Sequence, residues 1–268
     1  MFLISKVNDS VHSQNKSHNS LKQIFLLPLS DERDSNHFQV EGTTSFETDV
    51  IRMSAIEVHS VPGLVYISEY IDTQLEEYLL TQIYRQPVVK WKVLANRRLQ
   101  NWGGTPHSKG MIATTLPTWL LCIATRLEKD GFFPETPNHV LINEYLPGQG
   151  IEPHEDGPIY YPCAAILSLE NEIVLDFYSK GVNSVTAEEI QQYTGSLLLE
   201  PRSLLIIRDS AYQNYLHGIQ ESFYIKKSSW LLNYCCDGEG EQVARKKRVS
   251  LTVRLVPKTV HNVVRLGK

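Results

Sequence analysis

The chain has 268 residues, 42% of them hydrophobic, enough to bury one sizeable core with a tail or two smaller ones. A formal net charge of -4 excludes a protein that is basic all over but leaves room for a local basic patch. No run approaches the about 18 apolar residues of a membrane-spanning helix, and Cys122, Cys163 and the adjacent Cys235 and Cys236 lack disulfide-framework or metal-ligand spacing, as expected of reduced thiols in the cytoplasm, the nucleus or both.

Residues 1–58 are rich in Ser, Asn, His and acidic residues around one apolar island, QIFLLPL at 23–29. That composition predicts a disordered extension ahead of a single folded domain over 59–268. VPGLVYISEYI at 61–71 reads as a strand and turn. From 72, DTQLEEYLLTQIYRQ has helical spacing of its inward-reading positions, Leu75, Tyr78, Leu79, Gln82 and Ile83, with Asp72 as the N-cap, and LPTWLLCIATRLEKD at 116–130 reads as a second helix. After Pro137 the segments shorten: HVLINEYL, the PHEDGP region, YPCAAILSLE, NEIVLDFYS, SLLLEP, RSLLIIRDS, YLHGI and RVSLTVRLV. Strands of this kind separated by turn residues predict a mainly β fold, an antiparallel sandwich or barrel with flanking helices. Two polar stretches, near 180–194 and 219–247, are expected as long loops.

PHEDGP, residues 153–158, sets His154 and Asp156 two apart, so on a strand both would point to one side while Glu155 points away. A non-haem iron site needs two imidazoles and one carboxylate on one face of the metal. His217 in YLHGI, followed by a turn-permitting glycine, is the best placed second imidazole. His12, His18, His37 and His59 belong to the tail or its border, His107 to a Gly-rich loop, His139 to a strand start and His261 to the C-terminal end. Alone, the motif reads equally well as a turn with a structural histidine.

The same alternation in RVSLTVR gives Arg248, Ser250, Thr252 and Arg254 a common face, and Asn143 and Tyr145 share one in INEYLPG. Inward-facing guanidiniums demand anionic partners, either structural acids or a dicarboxylate ligand. From Tyr78 to Leu127 there is no acidic residue, yet Arg85, Lys90, Lys92, Arg97, Arg98, Lys109 and Arg126 interleave with Tyr84, Trp91 and Trp102. Such a stretch suits phosphate contact and base stacking, or else a solvated face over core aromatics. Arg98, Asn101 and Trp102 are the candidates for the substrate side, and ARKKR at 244–248 either adds to this basic patch or, as charge runs more often do, solvates a loop.

Taken together, N-x-Y-x-P-G at 143–148, H-x-D at 154–156, His217 and the arginine pair at 248 and 254 resemble the AlkB family of Fe(II)/2-oxoglutarate-dependent dioxygenases over about 60–257. LQNWGG at 99–104, LDFY at 175–178, SLLLEPRSLL at 196–205 and LHGI at 216–219 look most like its sixth animal branch. The resemblance implies a double-stranded β-helix (jelly-roll) core, with His154, Asp156 and His217 as the iron ligands. It implies Tyr145 and Arg248 on the distal carboxylate of 2-oxoglutarate, Asn143 and Arg254 nearer the metal, and Ser250 where the bacterial member carries an amide. The implied activity is oxidative demethylation of alkylated nucleic acid, single-stranded or with a flipped base, or less often of protein, by a monomer using Fe(II), 2-oxoglutarate and O2. Residues 78–127 would form the substrate lid. The alternative is a nucleic-acid or protein binding module that keeps the iron site with little turnover.

Overall fold

Apolar alternation with a period of two buries one side of each strand, and here it builds two facing sheets. The computed structural model describes residues 22–25, 54–107, 110–182, 189–234 and 240–260. In chain order they form β1 (Lys22–Phe25), β2 (Ser54–Glu57), β3 (Leu64–Ile67), α1 (Thr73–Tyr84), a short 3-10 turn (Val88–Lys90), β4 (Lys92–Leu94), β5 (Arg97–Trp102), β6 (Gly104–His107) and β7 (Gly110–Ala113). Then come α2 (Thr118–Lys129), β8 (His139–Tyr145), β9 (Ile151–His154), β10 (Cys163–Leu169), β11 (Ile173–Val182), β12 (Glu189–Leu199) and β13 (Leu204–Arg208). The chain continues through α3 (Asp209–Asn214), β14 (Tyr215–Ile219), β15 (Tyr224–Lys227), β16 (Glu241–Ala244), β17 (Arg248–Arg254) and β18 (Thr259–Val260).

Nine strands make the large sheet in the order β1-β2-β3-β13-β10-β17-β8-β5-β4, and four make the small one, β12-β11-β14-β9. This is the expected jelly-roll, mainly β with flanking helices. On one face of the large sheet Ile67, Ile142, Leu167 and Leu251 pack with Leu79 and Ile83 of α1 and Leu120 and Ile123 of α2. Each of these fully buried side chains contributes about 1.5–3 kcal/mol. The opposite face meets the small sheet, with Tyr66, Ile166 and Leu205 against Leu175, Phe177 and Leu197. Every second residue of β8 and β17 is thus turned towards the space between the sheets. Among the described residues no helix is long and apolar enough to cross a membrane.

Helix α1 starts where expected, with Asp72 Oδ1 accepting from the Leu75 amide at 2.7 Å. Its buried face is different: Glu76, Leu79 and Ile83 are inside and Tyr78 is exposed. Glu76 tolerates burial because Arg202 and the amide of Glu170 reach it at 3.0 and 2.8 Å.

Three expected unstructured stretches contain strands. Lys22–Phe25, in the apolar island of the supposed extension, pairs antiparallel with β2, which also begins before residue 59. The polar stretch near 180–194 is mostly the far end of the β11–β12 hairpin. The 219–247 stretch holds the β15–β16 hairpin, and Ile225 and Leu231 pack with Leu198 on the outer side of the small sheet. In the two polar stretches the alternation was hidden because strands with one wet face carry mostly polar side chains. Residues 183–188 and 235–239, with Cys235 and Cys236, lie outside the described residues.

Candidate active site

Strands β9 and β14 pair so that His154 stands directly opposite His217, with ring centroids 4.5 Å apart. Asp156 arrives by another route than alternation along a strand, since β9 ends at His154 and the turn that follows carries the carboxylate back. One donor atom from each of the three lies within 4.8 Å of the others. His154 Nδ1 donates to the Glu152 carbonyl at 2.9 Å, which turns Nε2 towards the cluster.

Burial holds both imidazoles below their ordinary value, His217 at about 4. For Asp156, burial pushes upward, but Arg254 and His217 outweigh it and keep the carboxyl below the usual range. Two neutral imidazoles and one carboxylate on one side, with the other side open, is the donor set of a non-haem iron centre.

The register of β8 and β17 sets Tyr145 beside Arg248 and Asn143 beside Ser250. With Leu141, Thr252 and Arg254 they line a cavity that His154 and His217 border at one end, and Ile166, Leu175 and Leu199 close its apolar wall. Arg254 spans towards the metal end, paired with Asp156. Arg248 is 2% exposed, and its one side-chain bond to a described residue runs from Nη2 to Ser168 Oγ at 2.9 Å. Burial pulls its guanidinium down to about 10, still charged at neutral pH. Among the described residues, Arg248 Nε, Arg254 Nε, Arg97 Nε and Asn143 Oδ1 are buried without a hydrogen-bond partner.

A family model described as the 2OG-Fe(II) oxygenase superfamily matches residues 67–254. The chain belongs to this superfamily. It is similar to a Danio rerio protein named "Probable RNA/DNA demethylase ALKBH6", 43% identical over 213 residues, 77% of this chain and 91% of that one. Uncharacterized protein L905 of Acanthamoeba polyphaga mimivirus is 29% identical over 73% of this chain and 86% of its own length. Among solved structures, OsALKBH1 covers 72% of this chain and 97% of its own at 13% identity and a TM-score of 0.47.

As a 2OG-Fe(II) oxygenase the protein is a dioxygenase that uses Fe(II), 2-oxoglutarate and O2, and its residues fit them. The three clustered donors suit the metal. The cavity has unpaired guanidinium donors and only one carboxylate at its metal end, so it accommodates a dianion at little desolvation cost beyond what the fold already bears.

The substrate-side expectations need correction. Arg98 and Trp102 alternate with the cavity-facing residues of β5, so they point to the helix-covered side. There Arg98 grips Glu144 at 2.6 and 2.8 Å and lies over the Trp91 ring. Trp102 meets Trp119 edge-on, with centroids 5.5 Å apart, donates to Gln100 and carries Lys90 above its ring. Lys90 and Arg98 are thus spent on Trp102, Trp91 and Glu144. Asn101 has the cavity parity, but its amide is held by Gly104 and by His139 at 2.8 Å.

The oxygenase cavity instead takes Arg97 from β5. Pairing β5 with INEY and applying alternation would have found it, because Leu99 stands opposite Asn143. Arg245, read as part of a solvated charge run, is 5% exposed.

Proposed function

We propose that the oxygenase oxidatively removes alkyl groups from nucleic acid, with a single-stranded or flipped-out nucleotide at the cavity mouth. The observation that carries this reading is the 43% identity, over 77% of this chain and 91% of the relative, to the protein named "Probable RNA/DNA demethylase ALKBH6". The cavity supports it: His154, Asp156 and His217 would hold the iron, Tyr145 and Arg248 the distal carboxylate of 2-oxoglutarate, and Asn143, Ser250 and Arg254 its nearer part. Bound Fe(II), with 2-oxoglutarate and O2, supplies an oxidation strong enough to place oxygen on a methyl carbon. The chain's own part is placement and exclusion. Ile166, Leu175 and Leu199 give the cavity an apolar wall, and the pairing of β9 with β14 fixes His154 against His217. Arg97, a cation on the same wall within electrostatic reach of Tyr145 and His154, faces the position of an incoming anionic or carbonyl-bearing substrate.

The test is release of succinate and formaldehyde from 2-oxoglutarate with panels of methylated single-stranded DNA, RNA and peptides. Substrate-coupled turnover is expected on a nucleic-acid panel. Turnover on peptides alone, or binding of iron and 2-oxoglutarate without coupled turnover anywhere, overturns the proposal, and the latter outcome marks a binding module.

A further inference from the structure

Arg245 follows β16 directly and is buried, yet among the described residues no carboxylate touches it. Its Nη1 donates to the carbonyls of Gln220 and Ser222 at 3.0 and 2.9 Å, in the segment that leaves the His217 strand. Its backbone amide bonds to Phe223 at 2.8 Å. Nε and Nη2, on the other side of the fork, are buried without a partner among the described residues. Arg245 stands just ahead of β17, and the Ser222 carbonyl that it holds also accepts the Gly148 amide, shortly past Tyr145. Because Arg248 is paired opposite Tyr145 at that end of β8 and β17, Arg245 is anchored behind the Tyr145–Arg248 end, away from the Arg254–Asp156 pair.

Two interior guanidiniums near one tyrosine, with no carboxylate in contact with either among the described residues, repel each other when no anion is bound. That repulsion turns into attraction when an anion arrives between or beside them. We propose that Arg245 is a positioning residue for the cosubstrate: a second interior cation that acts through Arg248 and Tyr145 to select a distal carboxylate, and that ties this selection to the hairpin β15–β16. The proposal rests on the assignment of the Tyr145–Arg248 end to that carboxylate. The segment between β14 and β17, with its β15–β16 hairpin, is then part of the cosubstrate site.

The experiment is calorimetric titration of 2-oxoglutarate, and of 2-oxobutyrate, which lacks the distal carboxylate, into the full chain loaded with Mn(II). Arg245→Gln should weaken 2-oxoglutarate by about tenfold, the scale of one charge acting at an effective dielectric of about 20, and leave 2-oxobutyrate within about twofold. Arg245→Lys keeps the charge and should stay within about threefold of the wild type for both acids. Equal weakening of both acids by more than about threefold in either variant reveals a purely structural latch and overturns the proposal, as does an unchanged 2-oxoglutarate affinity in Arg245→Gln. Should Arg245→Gln not fold, the lysine variant decides, because a latch requires the guanidinium fork and a charge does not. Arg248→Gln is the control for the underlying assignment: unchanged 2-oxoglutarate binding there sinks the assignment itself, whereas loss there with none in Arg245→Gln sinks only the role of Arg245.

Discussion

Replacing Arg248 by Met separates a ligand-binding cation from a structural one. The side chain is 2% exposed, holds one bond to Ser168 and has no acid in contact among the described residues, so without a bound anion it is a buried charge that the fold sustains without an ionic partner among them. Exchanging such a charge for an apolar chain of similar reach is often neutral or stabilising, by about 1–4 kcal/mol. Loss of the Ser168 bond offsets about 1 kcal/mol of that. The net expectation is a melting temperature unchanged or raised by a few degrees, at about 2–4 °C per kcal/mol for a domain of this size. With 2-oxoglutarate the sign reverses. A buried charge-assisted pair is lost, worth about 2–5 kcal/mol, so affinity falls roughly 30-fold to several thousand-fold. Differential scanning calorimetry of the Mn(II) protein with and without 2-oxoglutarate reads both numbers. A melting temperature lowered by about 6 °C or more, with the ligand-induced rise intact, would refute the reasoning and make Arg248 a structural residue.

His154→Ala should abolish binding of one Fe(II) or Mn(II), seen by metal analysis after dialysis, with little change in melting. Asp156→Ala should lose the metal and also destabilise the fold by about 3–5 kcal/mol, because Arg254, 7% exposed, loses its partner; equal melting of the two variants speaks against the pairing. Trp102→Ala removes the contact with Trp119 and should cost about 3 kcal/mol in denaturant titration, while oligonucleotide affinity per folded molecule stays constant. A selective loss of that affinity would restore Trp102 to the substrate side. Glu144 gives a pH prediction: burial pushes its carboxyl up, but the hydrogen bonds from Arg98 and Tyr84 outweigh this and hold it below 4.5. A depressed folded value means stability that is present above the unfolded value and is lost as pH falls through the folded one. Arg98→Ala should flatten that acid-side loss in urea titrations between about pH 5 and 3, and an unchanged slope contradicts the assignment.

Where sequence reasoning succeeded, period two carried it: Asn143 with Tyr145 and Arg248 with Ser250 share the cavity wall because pleating leaves no other arrangement once the strands exist. The same rule explains the misreading at β5. Choosing Arg98 and Trp102 over Arg97 is an error of one residue, and one residue moves a side chain to the opposite face. Asp156 was named for a reason that does not apply, since it lies past the strand end and a turn delivers it. Arg245 stayed invisible because a cation in a basic run looks solvated until a hairpin covers it.

The sequence by itself determined the residue types and their spacing, hence a mainly β chain with a donor set fit for iron and an arginine-lined face fit for a dicarboxylate. Only the tertiary structure decided which residues share the cavity: the pairing of β9 with β14 joins His154 to His217, and that of β5 with β8 admits Arg97 and turns Arg98 away. The physical reason is that strand partners far apart in the chain are chosen by the burial of whole faces. That is a collective free energy, and no local pattern carries it.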